Sequence, residues 1–301
     1  MATVFKTFLN NDIKSTRTLL HEAIPLTGAL VSGTYGTFPN GGNIKNYSNG
    51  MFQSVYDYPY LSSSANHIYD LTVGISNSSS LSASTTVQRA KKINMYNQMS
   101  AVLMGYDASG NAIRFDRDGD LAGTSDDKMD NVVFINFARL LQKDEIKKGS
   151  FQLKLGANAG YGNSMGSILT VTDAGANTSY KVNAAAGEYG ILSCSLGGGY
   201  SGSVTTNTSG SVGLIFYQAG VAVLSSSILQ GVGPAFAVDG GAGVLADNAI
   251  MFGGIHQVSL SGALTGTSIS GCADSLRHRI QDISFNNTTE LNSTIHFCRL
   301  N

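Results

Sequence analysis

The hydrophobic positions fall into two kinds of pattern. From Thr85 to Met104 they recur at three- and four-residue steps, through Val87, Ile93, Tyr96, Met99, Val102 and Leu103. That spacing predicts a helix, closed by Gly105 where a C-terminal cap belongs. A shorter stripe of Ile13, Leu19, Leu20 and Ala23 after Asp12 predicts a helix to about Ile24, stopped by Pro25. Phe137, Leu140, Leu141 and Ile146 predict another over Asn136 to Lys147, with Lys147 and Lys148 on the favoured side of its dipole. Beyond Gly149 the pattern changes to short apolar or alternating runs. These are Phe151–Leu155, Ser167–Thr172, Ile191–Leu196, Ile215–Tyr217 and Val221–Leu224, the last two joined by a turn at Ala219-Gly220. Glycine and serine clusters separate them at about ten-residue spacing, the rhythm of a sandwich or barrel. Gly243–Ile255 reads as strand or buried loop, Asp274–Gln281 as a short helix, and Thr294–Leu300 as a last strand.

The expected fold is therefore mainly β with a few helices, an α+β arrangement. Residues 1–150 form a mixed region with two or three helices, and 151–301 an antiparallel β-sandwich or barrel-like region. Charge marks the same division: residues 1–150 hold 14 basic and 13 acidic side chains, residues 151–301 only 5 and 7. Between 33 and 66 the chain is rich in Gly, Asn, Ser and Tyr and reads as a long loop. Phe38, Tyr47, Met51, Phe52, Tyr56, Tyr58 and Tyr60 are too apolar to be left in water, so the loop is expected to be ordered by a partner, with these side chains as contacts.

Composition narrows the function. Formal net charge is -1 and charged residues are 13 % of the chain, which provides no field for nucleic acid or an anionic membrane. The most apolar run, Val212–Leu224, is interrupted by Gln218 and two glycines and is shorter than the roughly 20 apolar residues a spanning helix needs. The first residues lack the continuous apolar core of a secretory signal. Cys194, Cys272 and Cys298 are odd in number and widely spaced, and read as buried thiols.

Chemical motifs are sparse. Gly162-Asn-Ser164-Met-Gly166 has the spacing of a nucleophile elbow, but the residues after it read as strand where an elbow needs a helix. Gly197–Gly202 and Gly241–Ala246 match dinucleotide-loop spacing without a helix to receive a pyrophosphate. Arg89, Lys91 and Lys92 read as a solvated helix face. Asp116, Asp118 and Asp120 alternate on a tight turn, followed by Asp126, Asp127 and Asp130. Hard cations want several oxygens at about 2.3–2.6 Å, so Ca2+ over 116–130 is the one candidate metal. Leu121, where a calcium loop of the EF-hand kind has glycine, argues for a plain acidic turn. No catalytic or cofactor-binding residues are assigned, and the chain is read as not an enzyme.

Longer phrases carry a resemblance. They are STRTLLHEAIPL from Ser15, FPNGGNIKNYSNGMFQSVYDYPYLSSSANHIYDLTVG from Phe38, NMYNQMSAVLMGYDASGN from Asn94 and INFARLLQKDEIKKGSF from Ile135. GEYGIL from Gly187, VGLIFYQAGVAVL from Val212 and FNNTTELNSTIHFCRLN from Phe285 complete them. Together they cover most of the chain, which resembles virion structural proteins of T4-like tailed bacteriophages of the marine and cyanophage type. The resemblance implies a tail- or baseplate-associated subunit in the virion, assembled in the host cytoplasm. Its implied partners are copies of itself and other phage structural proteins. Neck, capsid-decoration or fibre-attachment roles are the alternatives, and a host-surface glycan module is a further one. Such relatives run on past the phrase that ends this chain.

Overall fold

The computed structural model describes residues 8–25, 41–47, 49–83, 86–121, 128–157, 167–196, 211–226, 268–277 and 280–297. Thirteen strands form one sheet, in which every strand pairing is antiparallel. The strands are β1 Ile13–Pro25, β2 Ile44–Asn46, β3 Gln53–Tyr56, β4 His67–Ile75, β5 Asn131–Phe137, β6 Glu145–Ile146 and β7 Gln152–Ala157. They continue with β8 Ser167–Thr172, β9 Lys181–Ala184, β10 Gly187–Leu196, β11 Ser211–Phe216, β12 Val221–Ser225 and β13 Ile280–His296. The helices are α1 Val87–Leu103, α2 Arg139–Gln142, α3 Ala176–Ser179 and α4 Ile269–Arg277. The protein is thus mainly β with a few helices.

Strand order is β1-β13-β7-β8-β10-β11-β12-β5-β4-β3-β2, with β6 also on β13 and β9 on β10. One hydrogen-bonded sheet therefore passes through both halves of the chain: β12 joins β5, and β13 joins β1.

The sheet is rolled. β5 and β13 are six strand spacings apart along it, roughly 29 Å if flat at ~4.8 Å per strand. Yet the rings of Phe137 on β5 and Phe285 on β13 are 5.1 Å apart, and Phe137 also meets Phe151 at 5.9 Å. The chain leaving β5 makes the single turn α2 and pairs through β6 with Asn287 and Thr288 of β13, which closes the roll at that end. Inside lie Leu71, Ile135, Leu153, Val171, Leu192 and Leu224, plugged by Ile269, Cys272 and Leu276 of α4. A second core covers the outer face, where Tyr96 and Leu103 of α1 meet Phe134, Leu214, Phe216 and Val223, with Phe115 and Tyr189 among them. Strands β5, β11 and β12 are buried on both faces. That is why NVVFINF, SVGLIF and VAVLS read as nearly continuous apolar runs.

Helix α1 forms where its periodicity places it. Thr86 caps it, its side chain accepting from the Arg89 amide at 3.4 Å, and Gly105 at φ +94° ends it by donating to the Ser100 carbonyl. It lies close on β4 because Gly74 has no side chain: a Cβ there would stand 2.9 Å from both Tyr96 and Phe134. Val87 and Val102, expected inside, face solvent.

Five expectations need correction. The stretch after Asp12 is strand β1, not a helix. Its apolar spacing suits both elements, and its Ser and Thr residues pair across to β13, as in Thr16 Oγ1 to Ser293 Oγ at 2.6 Å. The expected helix at Asn136–Lys147 shrinks to α2, because Phe137 ends β5 and Ile146 belongs to β6. Helix α4 overlaps its expected place but starts earlier, at Ile269, and ends at Arg277, and β13 begins at Ile280 rather than near Thr294. The 33–66 stretch, expected as loop, contains β2 and β3, which extend the sheet from β4. Gly243–Ile255 lies outside the described residues.

Candidate functional site

Four places carry the chain's polar and aromatic chemistry. The first is the aromatic group around β2, β3 and β4. Tyr47 packs on Phe52 with rings 4.4 Å apart, under the Lys45 ammonium at 4.6 Å. Tyr56 meets His67 at 5.5 Å and Tyr60 at 6.3 Å. Met51 is half-buried and its carbonyl accepts from Thr72 Oγ1 at 2.6 Å. Tyr58 and Tyr60 are exposed, next to Leu61 at 86 %. The expected contact residues therefore divide: Tyr47, Met51, Phe52 and Tyr56 largely pack within the chain, and Tyr58 and Tyr60 face outward. Phe38 lies outside the described residues.

Beneath this group the Asp70 carboxylate collects Ser54 Oγ, His67 Nε2 at 2.8 Å and Asn136 Nδ2 at 3.5 Å. The carboxylate sits in the middle, so serine and histidine are both spent on it and do not face each other. A serine nucleophile needs its base on the hydroxyl itself. The cluster is built to hold β3 to β4 and β5.

The second place is the acidic turn. Asp116, Asp118 and Asp120 do converge, with carboxylate oxygens all within 4.8 Å of one another. Gly119 and Leu121 both take positive φ, +69° and +61°, which lets the turn fold that tightly. A cation is already there: the Lys128 ammonium pairs with Asp116 and donates to the Leu121 carbonyl at 3.1 Å. Burial raises the Asp116 pKa against the pull of Lys128. For Asp118 burial pushes the same way, but the Asp120 amide, Asp116 and nearby lysines outweigh it and hold the carboxyl low. A divalent ion would have to displace this ammonium from the buried Asp116 carboxylate. We expect a chelator at saturation to leave the melting temperature within about 1 °C, whereas a fall of several degrees would establish a resident ion.

The third place is a charged cleft of about 630 Å³ below the β1–β13 pair. Lys148 stands between Glu188 at 2.6 Å and Glu145 at 3.7 Å, with the Tyr180 ring 5.0 Å from its ammonium. Arg17 and Glu290 pair at one wall, and the Arg139 guanidinium donates to the Gln218 carbonyl at 3.3 Å at the other. Sequence spacing could not find this cleft, since its members come from β1, α2, β6, β10, β13 and the loops that hold Lys148, Tyr180 and Gln218. Of the carboxylates in 151–272, Glu188 lines it, Asp173 is buried in the body, and Asp239 and Asp247 lie outside the described residues.

The fourth is the ribbon of β1 and the outer part of β13. The two strands pair from Ile13↔His296 to Pro25↔Ser284. Residues 13 to 23 and 291 to 297 are all exposed, and β1 makes its substantial contacts with β13 alone. The pair thus projects from the roll. Its tip is tied by the Phe297 amide donating to the Asp12 carbonyl at 2.7 Å, while the Asp12 carboxylate accepts from the Leu9 amide at 3.0 Å.

Other expected chemistry is redistributed. Lys91 donates to the Asn49 carbonyl at 2.7 Å, but Lys92 is fully buried against Cys272, and burial lowers its pKa. Lys92 therefore leaves the expected wet face. Its spacing from Tyr96, Met99 and Leu103 is the signal that places it on the apolar stripe. Burial pushes the half-buried Cys194 thiol up to about 11. The elbow-like serine and both glycine-loop matches lie outside the described residues. No helix among the described residues is long and apolar enough to cross a membrane.

Tyr69 is buried on β4, and its hydroxyl has no hydrogen-bond partner among the described residues. Tyr69→Phe is expected to stabilise the protein by about 1 kcal/mol, read from the urea midpoint, because it removes a buried unsatisfied group and leaves the ring in place.

Comparison of the chain with family models, with curated proteins and with solved structures returns no match.

Proposed function

We propose that the chain is a non-enzymatic structural subunit of a tailed-phage virion, acting through subunit contacts, with the tail or baseplate as its place. The observation that carries this reading is the projecting β1–β13 ribbon. A two-stranded ribbon is marginal in water unless something packs on it. This one holds Leu20, Leu291 and Ile295 about half exposed, at 51 %, 51 % and 49 %. Apolar side chains held out from a rigid body suit a subunit that grips its neighbours. The exposed Tyr58, Tyr60 and Leu61 offer a second contact surface on the opposite end of the strand order. The phage-like phrases STRTLLHEAIPL and FNNTTELNSTIHFCRLN fall largely on the two strands of that ribbon.

Gold-tagged localisation on intact particles tests the reading. Label in a ring at the tail tip is the expected result. Label at the neck or capsid would keep the virion role and remove the placement, and unlabelled particles would overturn both.

The charged cleft favours one other reading, a module for host-surface glycan. Tyr180 beside Lys148, Glu145 and Glu188 offers a ring face and convergent polar groups. Glycan-array binding lost in Tyr180→Ala would support it; an array without signal would remove it.

A further inference from the structure

We infer that β1 pairs edge to edge with β1 of a second copy, antiparallel, about a two-fold axis through Thr18. This deepens the assembly reading and rests on it for its biological sense.

Strand β1 is the terminal strand of the sheet. Its outer edge therefore presents backbone donors and acceptors along 13 residues with no partner strand among the described residues. Such an edge is a template for another strand, and proteins that stay monomeric blunt it with inward charges, bulges or proline. Here the pairing with β13 runs from Ile13 to Pro25 without a register shift, and proline stands only at the body end. The edge is long, regular and open.

The charges on this strand choose the occupant. Lys14 and Glu22 are both exposed, lie on the same face, and are equally far from Thr18. In an antiparallel pair centred on Thr18, Lys14 of each copy falls directly opposite Glu22 of the other, twice by symmetry. Cross-strand Cβ atoms at such positions are about 4.5–5.5 Å apart, and opposite charges there attract. The same register sets Thr16 opposite Leu20 and Thr18 opposite its mate. Shifting it by two residues towards the tip puts Arg17 opposite its own mate. Shifting it the other way takes Glu22 from Lys14 and sets it against Thr16. Arg17 stays neutralised in the chosen register, because Glu290 of its own ribbon holds it. An isologous contact of this kind requires a self-complementary patch, and β1 is one. The outer part of β13 carries Glu290 as its single charge beyond Asp282, so it offers no such pairing.

Sedimentation of the full chain at low salt is the first test, with dimer as the expected state. Lys14→Glu and Glu22→Lys each set like charges across the axis and are expected to weaken the dimer about tenfold. The combined K14E/E22K exchange restores the pairs and is expected to recover wild-type affinity. Both side chains are exposed, so the fold should survive each change, and circular dichroism checks this. Mild oxidation is the second test. Thr18→Cys should give a disulfide-linked dimer, since its two copies face each other, whereas Thr16→Cys, opposite Leu20, and the wild type should not. A monomer at all concentrations, a dimer indifferent to the single reversals, or cross-linking equal at 16 and 18 would overturn the inference. So would capture of β1 by a different chain with the protein itself monomeric. Particle labelling with a failed cross-link would sink this inference alone, and a β1 dimer that never labels particles would sink the virion reading alone.

Discussion

Asp173→Ala is expected to remove about 3–6 kcal/mol of stability, measured as a lowered urea midpoint, and with it most of the folded protein at 37 °C. The carboxylate is fully buried and accepts three hydrogen bonds. The Phe151 amide reaches Oδ1 at 2.9 Å, and the Gly149 amide and the Tyr217 hydroxyl reach Oδ2 at 2.8 and 2.9 Å. These tie the entry of β7 to the end of β8 and to the β11–β12 turn, across the adjacent strands β7, β8, β10, β11 and β12 of the roll. Alanine leaves two amides and a phenol buried without acceptors, at about 1–3 kcal/mol each. Most domains are stable by only ~5–15 kcal/mol, so the loss is a large share. Asp173→Asn keeps one acceptor oxygen and should lose roughly a third to a half as much. Equal losses from alanine and asparagine would mean that the position acts through volume rather than through its acceptors.

Alkaline pH is expected to unfold the protein over a narrow range beginning near 10. Four buried tyrosine hydroxyls have raised pKa values: Tyr69, Tyr96, Tyr189 and Tyr217. Burial is the main cause in each. The Asp173 charge adds for Tyr217, and the acidic turn adds for Tyr189, which is pushed up to about 12. A folded-state pKa above the unfolded value of ~10 means that the folded protein keeps protons which the unfolded chain gives up. That stability is fully present below pH 10 and is lost as pH rises through the folded values. The unfolded tyrosines go from half to nearly fully ionised over this interval, so each group costs about 1 kcal/mol and four lose about 4 kcal/mol between pH 10 and 11. Far-UV circular dichroism and tyrosinate absorbance should therefore change together. Absorbance rising smoothly at pH 10 while the dichroism holds would show the hydroxyls to be accessible and overturn the expectation. Tyr217→Phe should weaken the alkaline transition and also leave Asp173 one donor short.

Much of the architecture was legible in the chain. Helix α1 announced itself by a repeat of three and four residues and by Gly105, because a helix forms from contacts within one short segment. Strand β8 falls where Ser167–Thr172 alternates, and the β11–β12 hairpin turns at Ala219-Gly220, because turn geometry is local as well. The Asp116, Asp118 and Asp120 convergence was also legible from alternate spacing on a glycine turn. The ammonium inside it was not, since Lys128 reaches back from beyond the turn.

What only the tertiary structure decided has a common physical cause: partners distant in sequence. The segment after Asp12 has an apolar spacing that both helix and strand accept, and the choice was made by Ser284–His296, more than 250 residues away. Lys92 was sent inward to Cys272, some 180 residues further along the chain, and the charged cleft was assembled from strands, a helix and loops far apart in sequence. Periodicity and turn chemistry act within a few residues and were written in the chain from the start. Register, the roll of the sheet and the projecting ribbon depend on which strands meet, and that is settled when the whole core is buried.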